Sequence, residues 1–447
     1  MNLNIPIRSA VEGQVSAERL VNMYAEQTVG KSPVMIRSTP GLRLFGTIGE
    51  TVCRGLTVHN NSLYAVVGEN LYRVGQDGTE SLIGEILGNT LCVFASSGIE
   101  LAIASGGHGY IFDTSLTKIT DEDFMGCTAV EYLDGYFIFS NGADTFQISA
   151  LYAGGDIDAL DFASAESNPD PIVRAFVDHR ELFLFGSKTV ETWVNTGGAD
   201  FPFERISGGV AERGIASPYS VARIDNTVFW LDSDGVVRRM GGGYSPMRIS
   251  THEVERTLTS IDEAEAFAFV AQGHEFFVLS LPDRTWVYDA ATQMWHERQS
   301  YNEGGRWRAR GYAYCYGKHF VGDYENGNIY ELDEDVFTEA GDPLVAEIVF
   351  PPIHNEQKRF RLHRITLDME VGEVTDHSDP QIRLDLSDDG VEWTTHGYRS
   401  LGTTGKRNQR VSWNRLGQHR TLHMRFIISD PCRRAMYSAF GEVSIDQ

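Results

Sequence analysis

Few residues in this sequence stand at spacings that could do chemistry, and each constellation fails at a definite point. Ala25-Glu-Gln-Thr-Val-Gly30-Lys31-Ser32 fits a loose phosphate-loop pattern. That chemistry needs small residues whose backbone amides cradle phosphates at a helix start. Here the interior is Glu-Gln-Thr-Val, and Pro33 followed by Val34-Met-Ile36 reads as a strand. Asp156, Asp158 and Asp161 could ligate calcium, but the EF-hand order needs Asp or Asn at 160, where Leu160 stands. His419 and His423 are four apart, which presents one face only on a helix; this segment reads as turn and strand, with no third ligand. There is no His-Glu-x-x-His and no Gly-x-Ser-x-Gly. With 62 carboxylates, any chosen glycosidase pair is uninformative. The expectation is a protein that is not an enzyme, with no catalytic residue, no metal and no cofactor.

Two further segments concern recognition. Ser387-Asp-Asp-Gly-Val-Glu-Trp393 is close to the Asp-box turn of sialidase-type propellers, one residue short. That box is a hairpin device and does no chemistry. The stretch with Lys406-Arg407, Arg410, Arg415, Arg420, Arg425 and Arg433-Arg434 interleaves cations with Trp413 and Phe426. Such a mix suits single-stranded nucleic acid, but acids elsewhere in the same region cancel it. Docking onto an acidic protein surface fits equally. The candidate interface residues are therefore Arg410, Trp413, Arg415, Arg420 and Arg425. The alternative for Trp413, Leu416 and Phe426 is simply core.

The chain has 447 residues, with 38 Lys and Arg against 62 Asp and Glu, a net charge of −24. Hydrophobic residues make up 42%, which excludes a disordered chain, a coiled coil or a collagen-like fibre. Residues 1–340 hold 47 acids and 24 bases, whereas residues 341–447 hold 15 and 14. Between 74 and 173 the only base is Lys118, against sixteen acids. Such a surface repels phosphate, so sequence-reading of nucleic acid is not expected; the wall of a channel that DNA must slide past would suit it. No apolar run reaches the roughly 18 residues of a membrane-spanning helix, and Met1-Asn-Leu-Asn-Ile-Pro-Ile-Arg8 does not read as a secretory signal. Five scattered cysteines are expected as reduced, buried thiols.

The elements that carry these residues repeat. A short apolar strand, a Gly/Asp/Asn turn and a second strand recur with starts at 63, 101, 136, 182, 228, 276 and 320. Intervals of 35 to 48 residues match the roughly 40–50 residues of a four-stranded propeller blade. The fold expected is all-β: a six- or seven-bladed propeller over 51–340, followed by a C-terminal antiparallel β-sandwich over 341–447. Residues 1–50 are expected as an N-terminal arm joining the propeller. Residues 143–173 read as a loop insertion. Residues 252–267 read as a short helix, with Ser260 and Glu263 as a capping box.

Four groups of residues together resemble one family. They are Arg19-Leu-Val-Asn-Met-Tyr-Ala-Glu26 with Ser38-Thr-Pro-Gly-Leu42; Phe162-Ala-Ser-Ala-Glu-Ser-Asn-Pro-Asp-Pro171; Glu212-Arg-Gly-Ile-Ala216 with Trp230-Leu-Asp-Ser-Asp-Gly235 and Arg248-Ile-Ser250; and Arg410-Val-Ser-Trp-Asn-Arg-Leu-Gly417 with Phe426-Ile-Ile-Ser-Asp-Pro431. In this order they resemble the packaged-DNA stabilisation proteins of short-tailed bacteriophages, nearly end to end. The resemblance implies a structural virion protein, assembled in the bacterial host cytoplasm: a tail hub, or nozzle, in a homo-hexameric ring beneath the head-to-tail adaptor. The ring would surround double-stranded DNA as channel contents, retain it, and dock the tail needle, tailspikes or fibres until ejection. An acidic propeller and an Arg-bearing sandwich would supply the two unlike surfaces a closed ring needs. The alternative is a propeller that binds or cleaves polysaccharide.

Overall fold

The computed structural model describes all residues except 1, 13–15, 30–31, 166–169, 302–304, 357, 375–377 and 446–447. Seven four-stranded antiparallel blades form the first part of the fold: five are separate sheets of consecutive strands, and the sixth and seventh are parts of larger sheets. Their second strands are Ser62–Val67, Leu101–Ser105, Tyr136–Ser140, Glu181–Gly186, Thr227–Leu231, His274–Leu281 and Lys318–Asp323. These coincide with the seven apolar starts in the sequence. Strands buried on both faces read as unbroken apolar runs, and Ser62–Val67 is buried at every residue. The outermost strands are polar and exposed, as in Glu80–Glu85.

A separate apolar cluster fills each gap between neighbouring blades. The seventh gap, between blades seven and one, is filled by Ile48, Leu63, Phe320 and Ile329 among others. The ring is thus a closed seven-bladed β-propeller. Blade seven has three strands from residues 309–333, and its fourth is Gly41–Thr47 from the N-terminal arm.

The β-sandwich is two sheets around one core that includes Ile365, Leu384, Trp413 and Phe426. In one, Met23–Gln27, Val34–Ser38, Ala435–Ile445, Phe360–Met369 and Val411–His419 follow in order. The other runs Ser16–Val21, Ala346–Val349, Thr421–Ile428, Gln381–Ser387 and Thr394–Ser400. Ser16–Val21 also pairs with the outermost strand of blade six, so blade and sandwich form one continuous sheet.

Three segments differ from the reading of the sequence. The arm supplies a blade strand only through Gly41–Thr47; of its earlier strands Ser16–Val21 bridges blade six and the sandwich, and Val34–Ser38 lies in the sandwich against Ala435 and Met436. Residues 143–173 contain blade strands: Thr145–Ala150 and Ala153–Ser164 are the third and fourth of blade three. Gly154 falls inside that long outer strand because a side chain there would collide with Ile111 and Phe137. The helix expected over 252–267 is one α-turn, His252–Glu255, capped by Thr251. A 3-10 turn, Ile261–Glu263, follows. Ser260 has a left-handed backbone and its side chain makes no cap, since Glu265–Ala271 is already the innermost strand of blade six.

Candidate interaction surfaces

The residues at 19–42 build the joint between the two domains. Arg19 lies on Ser16–Val21, between blade six and the sandwich. Its Nε and Nη2 donate to the two Glu297 oxygens at 2.8 Å each, and its Nη1 to Glu347 at 3.2 Å. Against burial, which opposes the charge, these two carboxylates raise the Arg19 pKa further. Asn22 is 1% exposed and has φ 55°, a left-handed conformation that Asn tolerates better than most residues. Its Nδ2 donates to the Gln299 and Val345 carbonyls at 2.8 Å each, and its Oδ1 accepts from Gln299 N at 3.1 Å. One side chain therefore ties the propeller to the sandwich.

Beneath this joint lies a second buried set. The Arg298 guanidinium sits 3.8 Å from the Trp307 ring centroid, and its Nη2 donates to Pro40 O at 3.0 Å. Trp307 Nε1 donates to Glu339 at 2.9 Å. Burial lowers the Arg298 pKa to about 10, Glu339 opposing. Tyr24 packs edge-on against His274 and Phe276, with His296 next to it. Burial lowers the His296 pKa to about 3, so this ring is neutral under ordinary conditions. Arg434 completes the joint on the sandwich side, donating to Leu344 O and Asp430 O.

The other motif stretches hold blades together. Gly214 leaves no room for a side chain against the Ser187 backbone, and its carbonyl accepts from Trp230 Nε1. Asp170 accepts five hydrogen bonds from Ser187, Lys188 and Thr189. Burial alone would raise its pKa; these bonds hold it below the usual carboxylate range. The preceding residues 166–169 of that motif lie outside the described residues.

At the propeller axis, Arg310 makes a bidentate pair with Glu265, and Arg174 pairs with Glu131 at 3.0 Å. Burial pushes the Glu131 carboxyl up to about 7, with Arg174 opposing. A cavity of about 250 Å³ lies among these inner strands. Arg54 beside it spends its donors on the Thr90, Gly68 and Ile86 carbonyls and Ser105. These arginines are structural.

The five expected interface residues separate. Trp413 is fully buried, its Nε1 bonded to Gly397 O; it belongs to the core, as do Leu416 and Phe426. Arg425 is half-buried, paired with Asp385 at 2.9 Å and 4.4 Å from the Trp393 ring centroid. Arg410, Arg415 and Arg420 are exposed, before, on and after Val411–His419. That strand is the outermost of its sheet. Alternation alone would place Arg415 on the inward face of Trp413; the strand breaks there instead, with Arg415 at φ 62° where the pairing with Phe360–Met369 shifts register, and this turns Arg415 outward.

The other candidates resolve into structure. Gly30 and Lys31 lie outside the described residues; the strands on either side of them, Met23–Gln27 and Val34–Ser38, pair antiparallel. Asp156, Asp158 and Asp161 lie along the outer strand of blade three. His419 pairs with Asp388, while His423 is buried in the next strand. Ser387 and Asp389 fold the Asp-box-like turn by accepting from Gly390, Val391 and Glu392 amides. Among the described residues no three His, Cys, Asp or Glu stand close enough to hold a metal. Of the five cysteine thiols, Cys53, Cys127, Cys315 and Cys432 are buried and Cys92 is half-buried.

Two family profiles match the chain. One, described as "Bacteriophage P22 Gp10, beta-propeller", covers residues 4–337. The other, "Bacteriophage P22 Gp10, beta-sandwich", covers residues 346–444. Solved structures with similarity include the WD40 β-propeller domain of Doa1, at 13% identity over 65% of this chain and 97% of that one, TM-score 0.42. The computationally designed Ika8 protein matches at 14% identity over 71% and 100%, TM-score 0.41. No curated protein matches the sequence.

Proposed function

The chain belongs to the bacteriophage P22 Gp10 family, and from that premise we propose that it is the tail hub of a short-tailed phage. It forms a ring of six copies below the head-to-tail adaptor, encloses the DNA channel and keeps packaged DNA in place. The tail needle and the spikes or fibres dock on it until ejection. The protein acts as a structural part of the virion, performs no reaction and reads no DNA sequence. It is made and assembled in the host cytoplasm.

The observation that carries this reading is the order of the two matched domains together with the joint between them. Arg19, Asn22, Tyr24 and the 38–42 segment, which carry the resemblance in sequence, are the residues that lock propeller to sandwich. A rigid two-domain body suits a ring part that must keep its shape around pressurised DNA. The Asp-box-like turn lends the glycan alternative no support, since its polar groups are spent inside a sandwich hairpin.

Quantitative mass spectrometry of purified particles tests the proposal. About six copies per particle, as a sixfold ring gives, is the expected result. Absence of the chain from particles overturns it.

A further inference from the structure

One edge of the sandwich is rich in arginine, and one side of the propeller is acidic. Thr394–Ser400 and Val411–His419 are the outermost strands of the two sandwich sheets. They lie side by side: Arg399 Nε donates to Ser412 O at 2.7 Å, and Trp413 Nε1 to Gly397 O at 3.0 Å. Residues 394–420, which span both strands, contain six Lys and Arg and no Asp or Glu. Arg399, Arg410, Arg415 and Arg420 lie on or next to these strands, while Arg407 in the joining loop pairs with Glu373 at 2.9 Å. Arg410 and Arg415 project from it into solvent.

The opposite sign gathers elsewhere. Glu122, Asp123, Asp144, Asp156 and Asp158 are exposed on blades two and three and the loop between them. Large apolar side chains are exposed there too, among them Met125, Leu151, Tyr152, Leu160 and Phe162. The outermost strand there, Ala153–Ser164, pairs on one side only among the described residues. Acidic residues alone mark a solvated face. Exposed apolar groups inside a charged surface mark a contact.

Placement decides what the contact is for. The sandwich continues the sheet of blade six. Going round the ring, blades seven and one separate blade six from blade two. Blades five and four separate it from blade three. The acidic pole is therefore across the propeller from the domain that bears the basic edge. A body with complementary surfaces at opposite poles associates head to tail, and such contacts close into a ring when the rotation between copies allows.

We propose that the sandwich edge 394–420 of one copy docks on the outer face of blades two and three of the next copy. This rests on the hub reading and assigns its ring contact. Arg410 and Arg415 face Asp156 and Asp158 across it, with Tyr152 and Leu160 covered at its centre. The complementary charges steer assembly and fix its polarity.

The test uses phage lacking this chain, supplied with it from a plasmid. Particles carrying Asp156→Cys together with Arg415→Cys should give a ladder of covalent multimers on mild oxidation, and each single variant only monomer. Arg410→Glu with Arg415→Glu should lower the infective titre at least tenfold, as should Asp156→Arg with Asp158→Arg. All four changes together should recover to within threefold of the natural chain. Monomer from the cysteine pair in particles that do contain the chain, or reversals that keep full titre or are not rescued in combination, overturns the docking while the hub reading stands. A natural chain missing from particles removes both.

Discussion

Blades six and seven both take a strand from the N-terminal arm, but they hold it by different means. Blade seven takes Gly41–Thr47 as its fourth strand through a ladder that pairs six residues with Asn328–Asp333. Blade six takes Ser16–Val21 as a fifth strand through a single parallel pair, Val21 with Glu297. Two backbone bonds, Ser9 N to Trp295 O and Asn22 N to Glu297 O, add to it, and side chains supply the rest, chiefly Arg19 on Glu297 and Glu347 and Asn22 on two carbonyls and an amide. Ring closure is thus written in backbone bonds that nearly any sequence can make. Domain attachment depends far more on side chains, Arg19 and Asn22 above all. The first tolerates substitution except where backbones touch; the second fails at single residues.

The strongest way to break this contrast is Gly41→Val. A Cβ at 41 would meet the Val336 and Thr338 carbonyl oxygens, which are backbone and cannot swing aside. We expect the closing strand to be expelled at a cost above about 4 kcal/mol, read as loss of the cooperative urea transition. An unchanged urea midpoint would mean the ladder does not depend on this approach. Next comes Asn22→Ala, which leaves the Gln299 amide and two carbonyls without partners; the expected loss is about 3 kcal/mol. Arg19→Met strands the Glu297 carboxylate at the joint and should cost about 2–4 kcal/mol. Calorimetry should then resolve two transitions, sandwich and propeller, where the natural chain gives one. A single unsplit transition would show that the ladder alone couples the domains.

A smaller effect sharpens the comparison through pH. The His296 ring beside the joint is held near pKa 3, against about 6.5 in the unfolded chain. The folded state therefore binds fewer protons in that window. Its stability contribution is present above about pH 6.5 and is lost as pH falls towards 3, with a slope of at most about 1.4 kcal/mol per pH unit. His296→Phe should flatten the acid limb of a stability–pH curve, and an unaltered limb would place the acid sensitivity elsewhere. The smallest effect is expected at Arg410 and Arg415. Both are exposed, so their reversal to Glu should change monomer stability by less than about 0.5 kcal/mol while changing assembly.

The propeller was legible because its second strands are buried on both faces. Leu101-Ala-Ile-Ala104 and Phe276-Phe-Val-Leu279 stand out as apolar runs for that reason. The arm was not, since Ser16–Val21 reads Ser-Ala-Glu-Arg-Leu-Val, with polar groups whose partners lie 278 and 328 residues away. Trp413 illustrates the same limit at the surface. Its neighbours are cationic, but on a strand alternate residues face opposite ways, so it points into the core while Ser412 and Asn414 do not. The capping box at Ser260 failed because a propeller's inner strand, beginning at Glu265, leaves no length for a helix.

The borrowed strands also impose an order in time. Gly41–Thr47 finds its partner only once residues 328–333 exist, 281 residues later. At about 5–20 residues per second on the ribosome, that is a wait of roughly 15–55 s. Ser16–Val21 waits for Glu297 and then for Ala346–Val349, and Val34–Ser38 for Ala435. Through that interval the nascent chain carries strands made early and blades made in sequence, with the circle unclosed. Slower translation prolongs that exposure, and anything that shields the arm as it emerges shortens it.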